Sequence, residues 1–384
     1  MEKCKNLLSI IIPTKNRYST LLPVLDSIID NLSNEYEYEV IIQDNSDDNK
    51  PCLDYLSKKN ASKLKYFYNQ VSIPIADNTE LAIDNSNGKY LIFIGDDDFI
   101  CPDILEITNL LDERSISCLI YSPGYYWWES VVFKKENYYH RSANLWLPDV
   151  SPILEFTKID PAFELDKTLA KGAMAYDMLP RFYHGIVLRS EIEKLKSKIG
   201  RYLAGSCPDI DLAVSLALNL KEYYHLNYPV SVFGASKNSG GGWTASKKHY
   251  GKIEEITFLR PEIKDSWNPL IPKIWSERTI YPQTTSEVLK AYNVEKEVNL
   301  LPLYAAMLVY TPWLEPKIFW YIIKTCGYNP LKYFKFTFEL FKKIAGFVVV
   351  KVKYKFKMLP FKVFDNVNHQ EVIPVLKNNF KINI

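Results

Sequence analysis

Leu7-Leu8-Ser9-Ile10-Ile11-Ile12-Pro13-Thr14-Lys15-Asn16-Arg17 is an apolar run that ends at a proline and passes into polar residues. It reads as a strand buried on both faces, because a half-exposed strand would alternate. The stretch that follows sets Leu21, Leu22, Leu25, Ile28, Ile29 and Leu32 at helical spacing, so the order is strand, loop, helix. Working outward, Glu39-Val40-Ile41-Ile42-Gln43 repeats the buried-strand pattern and Leu64 to Tyr68 supplies a third strand. A short helix around Asn78 to Asp84 then leads through the turn Asn87-Gly88-Lys89 into Tyr90-Leu91-Ile92-Phe93-Ile94. Strands alternating with helices predict an α/β fold, a Rossmann-like and mostly parallel sheet with helices on both faces. Ligands of such sheets bind beyond the carboxyl ends of the strands. Three polar clusters lie at those ends: Thr14 to Arg17, Asp44 to Asp48, and Asp96 to Asp98.

Past Ser117 the alternation loosens. Leu119 to Ser122, Tyr125 to Trp128, Val131 to Phe133 and Phe182 to Leu188 read as strands, and Glu191 to Lys198 and Ile210 to Leu220 as helices, the latter started by Pro208-Asp209. After Val230 to Phe233, the stretch from Ala235 to Lys248 reads as a loop around Gly240-Gly241-Gly242-Trp243. Beyond Tyr250 the chain looks helical and punctuated by prolines. The division expected is a domain over 1–250, with halves 1–125 and 126–250, and a mainly helical extension over 251–384.

A chain of 384 residues, 47% of them hydrophobic, has the material for a large core. Its net charge of +2 lacks the basic excess of a nucleic-acid binder. The six cysteines, Cys4 among them, are far apart, without C-x-x-C pairs or zinc spacing, and read as thiols of a reducing cytoplasm. Met1 to Asn6 has no signal-peptide character, and no uninterrupted apolar stretch of roughly 18 to 20 residues offers a membrane span.

Asp96-Asp97-Asp98 sits directly behind the apolar strand and ahead of Pro102. Three adjacent carboxylates at a buried strand end repel one another, which a hard divalent cation would relieve. A solvated acidic turn is the alternative. Taken together, Leu8 to Arg17, Glu39 to Ser46, and Asn87 to Asp98 with Pro102 resemble, in order and spacing, the family-two glycosyltransferases of the GT-A fold, over the first third of the chain and more weakly to about Phe233. That resemblance implies inverting transfer of a sugar from a nucleotide-sugar donor, a UDP-sugar first, to an acceptor hydroxyl. It places Pro13 and Thr14 against the nucleotide and Arg17 near a phosphate. Asp44 would accept from the base, although an Asx turn also explains it. Asp96 to Asp98 match the DXD-type motif, with Mn²⁺ or Mg²⁺ held by Asp98 and Asp96, and Asp97 as ribose or second metal contact. Many family members carry Asp where this chain has Gly95. The general base falls to Asp209, with Asp211 in reserve and Pro208 where Glu is common; an ordinary helix N-cap is the competing role.

The acceptor implied is a glycan, lipid-linked, of the bacterial O-antigen or capsule type, worked on at the cytoplasmic face of the plasma membrane. A nucleotidyltransferase would show a Gly-rich basic first loop, which Pro13 to Arg17 is not. A membrane-associated binding or scaffolding protein on a degenerate transferase fold is the other alternative. Tyr125 to Trp128 and Trp146 read as core or as sugar-stacking rings, His184 as a satisfied core histidine, and His249 as a phosphate contact. Between Lys332 and Lys381 the only acids are Glu339, Asp365 and Glu371, and Phe334, Phe338, Phe341, Ala345 and Val348 follow helical spacing. That stripe suits an interfacial helix on an anionic bilayer, or else packs on the core beneath solvated lysines. Val350 to Lys357, alternating apolar and Lys, fits a strand.

Overall fold

The computed structural model describes residues 6–59, 62–150, 154–246 and 249–380; Cys4, Lys248 and Lys381 lie outside them. Strand Asn6–Thr14 runs through the centre of an eight-stranded sheet, between Tyr38–Asp44 and Gly88–Phe93. Across the sheet the strands follow the order Leu64–Tyr68, Tyr38–Asp44, Asn6–Thr14, Gly88–Phe93, Gly185–Leu188, Cys118–Tyr121, Tyr223–Leu226 and Phe156–Ile159. Four of the seven pairings are parallel, and the antiparallel ones all involve Gly185–Leu188 or Phe156–Ile159.

The continuous apolar character of the first strand has its cause here. Leu8, Ile10 and Ile12 point to one face, where helices Tyr18–Asn31 and Ile104–Glu113 deliver Leu21, Val24, Leu25, Ile28, Ile104, Ile107 and Leu111. Ile11 points to the other, packed with Ile83, Leu91, Leu195 and Leu216 from the elements beneath. Both faces of each central strand are buried, so most positions are apolar and the polar ones are paired, as Ser9 is with Glu39 at 2.5 Å.

A second sheet orders Phe361–Asp365, Asn144–Pro148, Gly124–Trp127, Ser231–Ala235 and Phe99–Ile100. The C-terminal segment contributes helices Glu277–Ala291, Leu301–Tyr310, Ile318–Cys326 and Pro330–Lys355.

Four expectations are corrected. Val350 to Lys357 is no strand: helix Pro330–Lys355 runs through all but its last two residues, because the alternation is too short to outweigh a helix already propagating. Val131 to Phe133 is irregular. The strand placed at Phe182 starts only at Gly185, because His184 takes φ +52. The stretch Ala235 to Lys248 opens with the last strand residue and contains a short helix, Gly240–Ala245, capped by Ser239. The C-terminal segment packs back on the first part: Phe361–Asp365 pairs with Asn144–Pro148, and Val367, Val372, Ile373, Leu376 and Phe380 join the first core.

Candidate active site

The parallel sheet changes direction of growth at its first strand: Tyr38–Asp44 lies on one side and Gly88–Phe93 on the other. At such a switch point the connecting loops diverge and leave a crevice beyond the carboxyl ends. Thr14 closes the end of the first strand and donates its hydroxyl to Asp96 Oδ2 at 2.5 Å, tying the two loops across the crevice. The loops on the far side are clipped by Asn16, which donates to Asp47 Oδ2 at 2.8 Å and accepts from the Asp47 amide at 2.9 Å.

Arg17, at the start of helix Tyr18–Asn31, places Nη2 2.8 Å from Asp96 Oδ1 and Nη1 3.6 Å from Asp97 Oδ1. Burial disfavours its charge, and the Asp96 and Asp97 carboxylates more than offset that and hold it protonated. The acids respond to the same balance. Burial raises Asp96 and Asp97 above the usual carboxylate range, with Arg17 pulling both back.

Asp98 differs from its two neighbours. Its Oδ2 accepts from the Gly95 amide at 2.6 Å, Tyr183 hydroxyl at 2.9 Å and His184 Nε2 at 2.8 Å, and its Oδ1 from the Gly234 amide at 2.6 Å. Burial alone would raise Asp98, but His184 and the two amides bring it below the ordinary value. The local backbone is shaped to deliver these donors. His184 sits in the left-handed region with its amide held by the Phe93 carbonyl at 3.0 Å. A Cβ on Gly234 would stand 1.6 Å from the Asp97 carbonyl oxygen, so only glycine lets strand Ser231–Ala235 approach this turn.

Asp209, half-buried at the first turn of helix Pro208–Asn219, lies near enough to the acidic turn for the Asp98 charge to act on it. Burial pushes its carboxyl up to about 6, helped by the Asp98 and Glu277 charges and opposed by a hydrogen bond from Tyr281. Asp209 in turn raises the nearby Tyr183, Tyr176 and Tyr281 phenols. Tyr125 is exposed and stacked on Phe233 at 5.5 Å, and Arg181 lies over the Tyr176 ring.

The structure sorts the expected residues. Thr14, Arg17, Asp96 and Asp97 converge at the crevice, Pro13 flanks them half-buried, and Asp209 lies within reach of the Asp98 charge. Asp44 does not open to it: fully buried, it accepts from Tyr18 and Tyr66 hydroxyls at 2.6 and 2.8 Å and from the Ser46 amide at 2.8 Å, the Asx-turn role. Asp211 is likewise spent on the Gly205 amide and Ser215 hydroxyl, which leaves Asp209 as the carboxylate at the cleft. Trp128 and Trp146 are buried, His249 packs on Trp275, and only Tyr125 of the expected rings is open. His184, Tyr183, Gly234 and Tyr281 had no signal of their own, since their partners lie far away in sequence.

The donor set can be tested for a divalent cation. Asp98 is the most engaged of the three acids, with three protein donors on its Oδ2 and one, the Gly234 amide, on its Oδ1. Asp96 Oδ1 is a buried oxygen without a hydrogen bond, and with Asp97 Oδ1 it faces a single cation, Arg17. No group of three His, Cys, Asp or Glu side chains placed to hold a metal is found among the described residues. Two carboxylate oxygens suit Mg²⁺ or Mn²⁺ completed by phosphate oxygens and water.

Residues 9–157 match the family model described as glycosyl transferase family 2. An uncharacterized glycosyltransferase of Rickettsia conorii is 33% identical over 100 residues, and another, of Rickettsia felis, 32% identical over 99. Each match takes in 26% of this chain and spans only 16% of the relative's length. Among solved structures, residues 1–349 of S. aureus TarS in complex with UDP-GlcNAc align over 91% of both chains at 14% identity, with a TM-score of 0.44.

Proposed function

We propose, from the match of residues 9–157 to the glycosyl transferase family 2 model, that this protein is a metal-dependent inverting glycosyltransferase using a nucleotide-sugar donor, a UDP-sugar first. The observation that carries the reading is the nearness of two carboxylate sets: Asp96 and Asp97 aimed at a positive charge, and Asp209 with its carboxyl near 6.

Ionised Asp209 takes the proton of the acceptor hydroxyl as that oxygen attacks the anomeric carbon, and the bond from that carbon to the diphosphate breaks on the opposite side. Asp96 and Asp97 would hold Mn²⁺ or Mg²⁺, which when bound offsets charge on the departing nucleoside diphosphate. Arg17 supplies a second positive charge at the same place, and Thr14 fixes the Asp96 carboxylate. Tyr125 offers an aromatic face to a sugar ring. The acceptor in this reading is a lipid-linked glycan of bacterial O-antigen or capsule synthesis, met at the inner face of the plasma membrane.

The test is release of nucleoside diphosphate from a panel of nucleotide-sugars with Mn²⁺, in the wild type and in Asp209→Asn. Release by the wild type from one donor class, lost in the variant while donor binding is retained, supports the reading. Donor binding without release in either protein points instead to a binding protein on a transferase fold.

A further inference from the structure

Helix Pro330–Lys355 has two apolar sides. Tyr333, Phe336, Leu340 and Phe347 turn inward, with Phe336 9% exposed in the C-terminal core and Phe347 edge-on to Tyr310. On the other side Phe334, Phe338, Phe341 and Val348 are 71, 59, 67 and 53% exposed. At about 100° per residue the two sets centre on different sides of the helix, roughly 120° apart. Packing against the core therefore cannot account for the outer stripe. Trp320 and Ile323 of the preceding helix, Ile318–Cys326, are exposed as well. A monomer rarely leaves so large an apolar surface without a partner.

Charge decides between partners. The stripe repeats at alternating three- and four-residue steps, the spacing of a coiled-coil seam. Yet the helix carries seven lysines and one acid, Glu339. Lys342 is paired within the helix to Glu339 at 2.6 Å, which uses up the helix's one acid, so a second copy would bring Lys335, Lys351, Lys353 and Lys355 no carboxylate from this helix. An anionic surface meets the same lysines favourably, and the ring-and-lysine mixture is that of a helix lying in a bilayer interface. No helix among the described residues is long and apolar enough to cross a membrane. The far end of the helix is fixed where Tyr354 packs on Tyr139 and the chain pairs through Phe361–Asp365, which holds the stripe outward.

We propose that the outer stripe of helix Pro330–Lys355, with Trp320 and Ile323, is a docking surface for an anionic lipid bilayer. The inference is independent of turnover, and its test does not use the active site. The full chain is sedimented with phosphatidylcholine vesicles and with vesicles in which phosphatidylglycerol replaces part of that lipid. Binding to the anionic vesicles, weakened by salt and reduced at least about tenfold in Phe334→Asp/Phe338→Asp/Phe341→Asp, is the expected result. The three positions are exposed, so the variant should keep the wild-type melting temperature and nucleotide response, which separates lost docking from lost folding. Sedimentation with neither vesicle, equal binding to both, or a dimer that the triple variant makes monomeric would each overturn the proposal.

Discussion

Asp209 and Asp98 are carboxylates of one crevice tuned in opposite directions. Asp209 accepts a proton only when ionised, and burial with Asp98 and Glu277 nearby has raised it to about 6, against the Tyr281 hydrogen bond. Turnover should therefore climb about tenfold per pH unit below that value and level off above it, as read from initial rates between pH 4.5 and 8 at about unit spacing. A raised carboxyl costs stability once ionised: the cost begins above the ordinary value, where the unfolded chain is already ionised, grows up to about 6 and is fully present above it. Asp209→Asn should accordingly lose about 100-fold or more in turnover yet melt higher than the wild type at pH 7. Asp98 is the reverse case. Replacing it by Asn leaves the Gly95 and Gly234 amides, Tyr183 and His184 without a full set of acceptors, a loss of about 3 kcal/mol in denaturant melts without metal. A carboxylate whose role was only to bind a cation would show no such loss.

Among the elements, the strands of the first third were legible because each central strand is apolar on both faces and cannot be mistaken for an amphipathic helix. The helices Glu191 to Lys198 and Ile210 to Leu220 were likewise placed within two residues of Arg189–Ile199 and Pro208–Asn219. The second sheet was harder, since its strand Phe361–Asp365 pairs with Asn144–Pro148 from far back in the chain, and Tyr126 donates its hydroxyl to the Val367 carbonyl 241 residues on. Local pattern has no access to such pairing. Because the returning tail covers the core with Val367, Val372, Ile373, Leu376 and Phe380, a chain ended after Met358 should lose on the order of 5 kcal/mol of stability or fail to fold, as followed by chemical denaturation. Gly234→Ala should be similarly disruptive, because neither the Asp97 carbonyl nor the strand bearing residue 234 has room to shift.

For the molecule as a whole, the three polar clusters were readable as strand ends, and two of them do form the crevice. The third closes on itself, because Tyr18 and Tyr66 claim Asp44 from elements whose side-chain directions the sequence does not display. Residues beyond 250 also reach back to the first part: Glu277 and Tyr281 act on Asp209, and the last strand completes the second sheet. In the proposed reading these parts together take a nucleoside diphosphate with a cation. The measurement that tests this most directly is the melting temperature of the full chain against UDP, CDP, GDP and dTDP, each with and without Mn²⁺. A rise of about 3 °C or more with one diphosphate, dependent on the metal, abolished in Asp97→Asn and preserved in Asp209→Asn, is the predicted result. Well-folded protein whose melting point moves with none of the four would contradict the account.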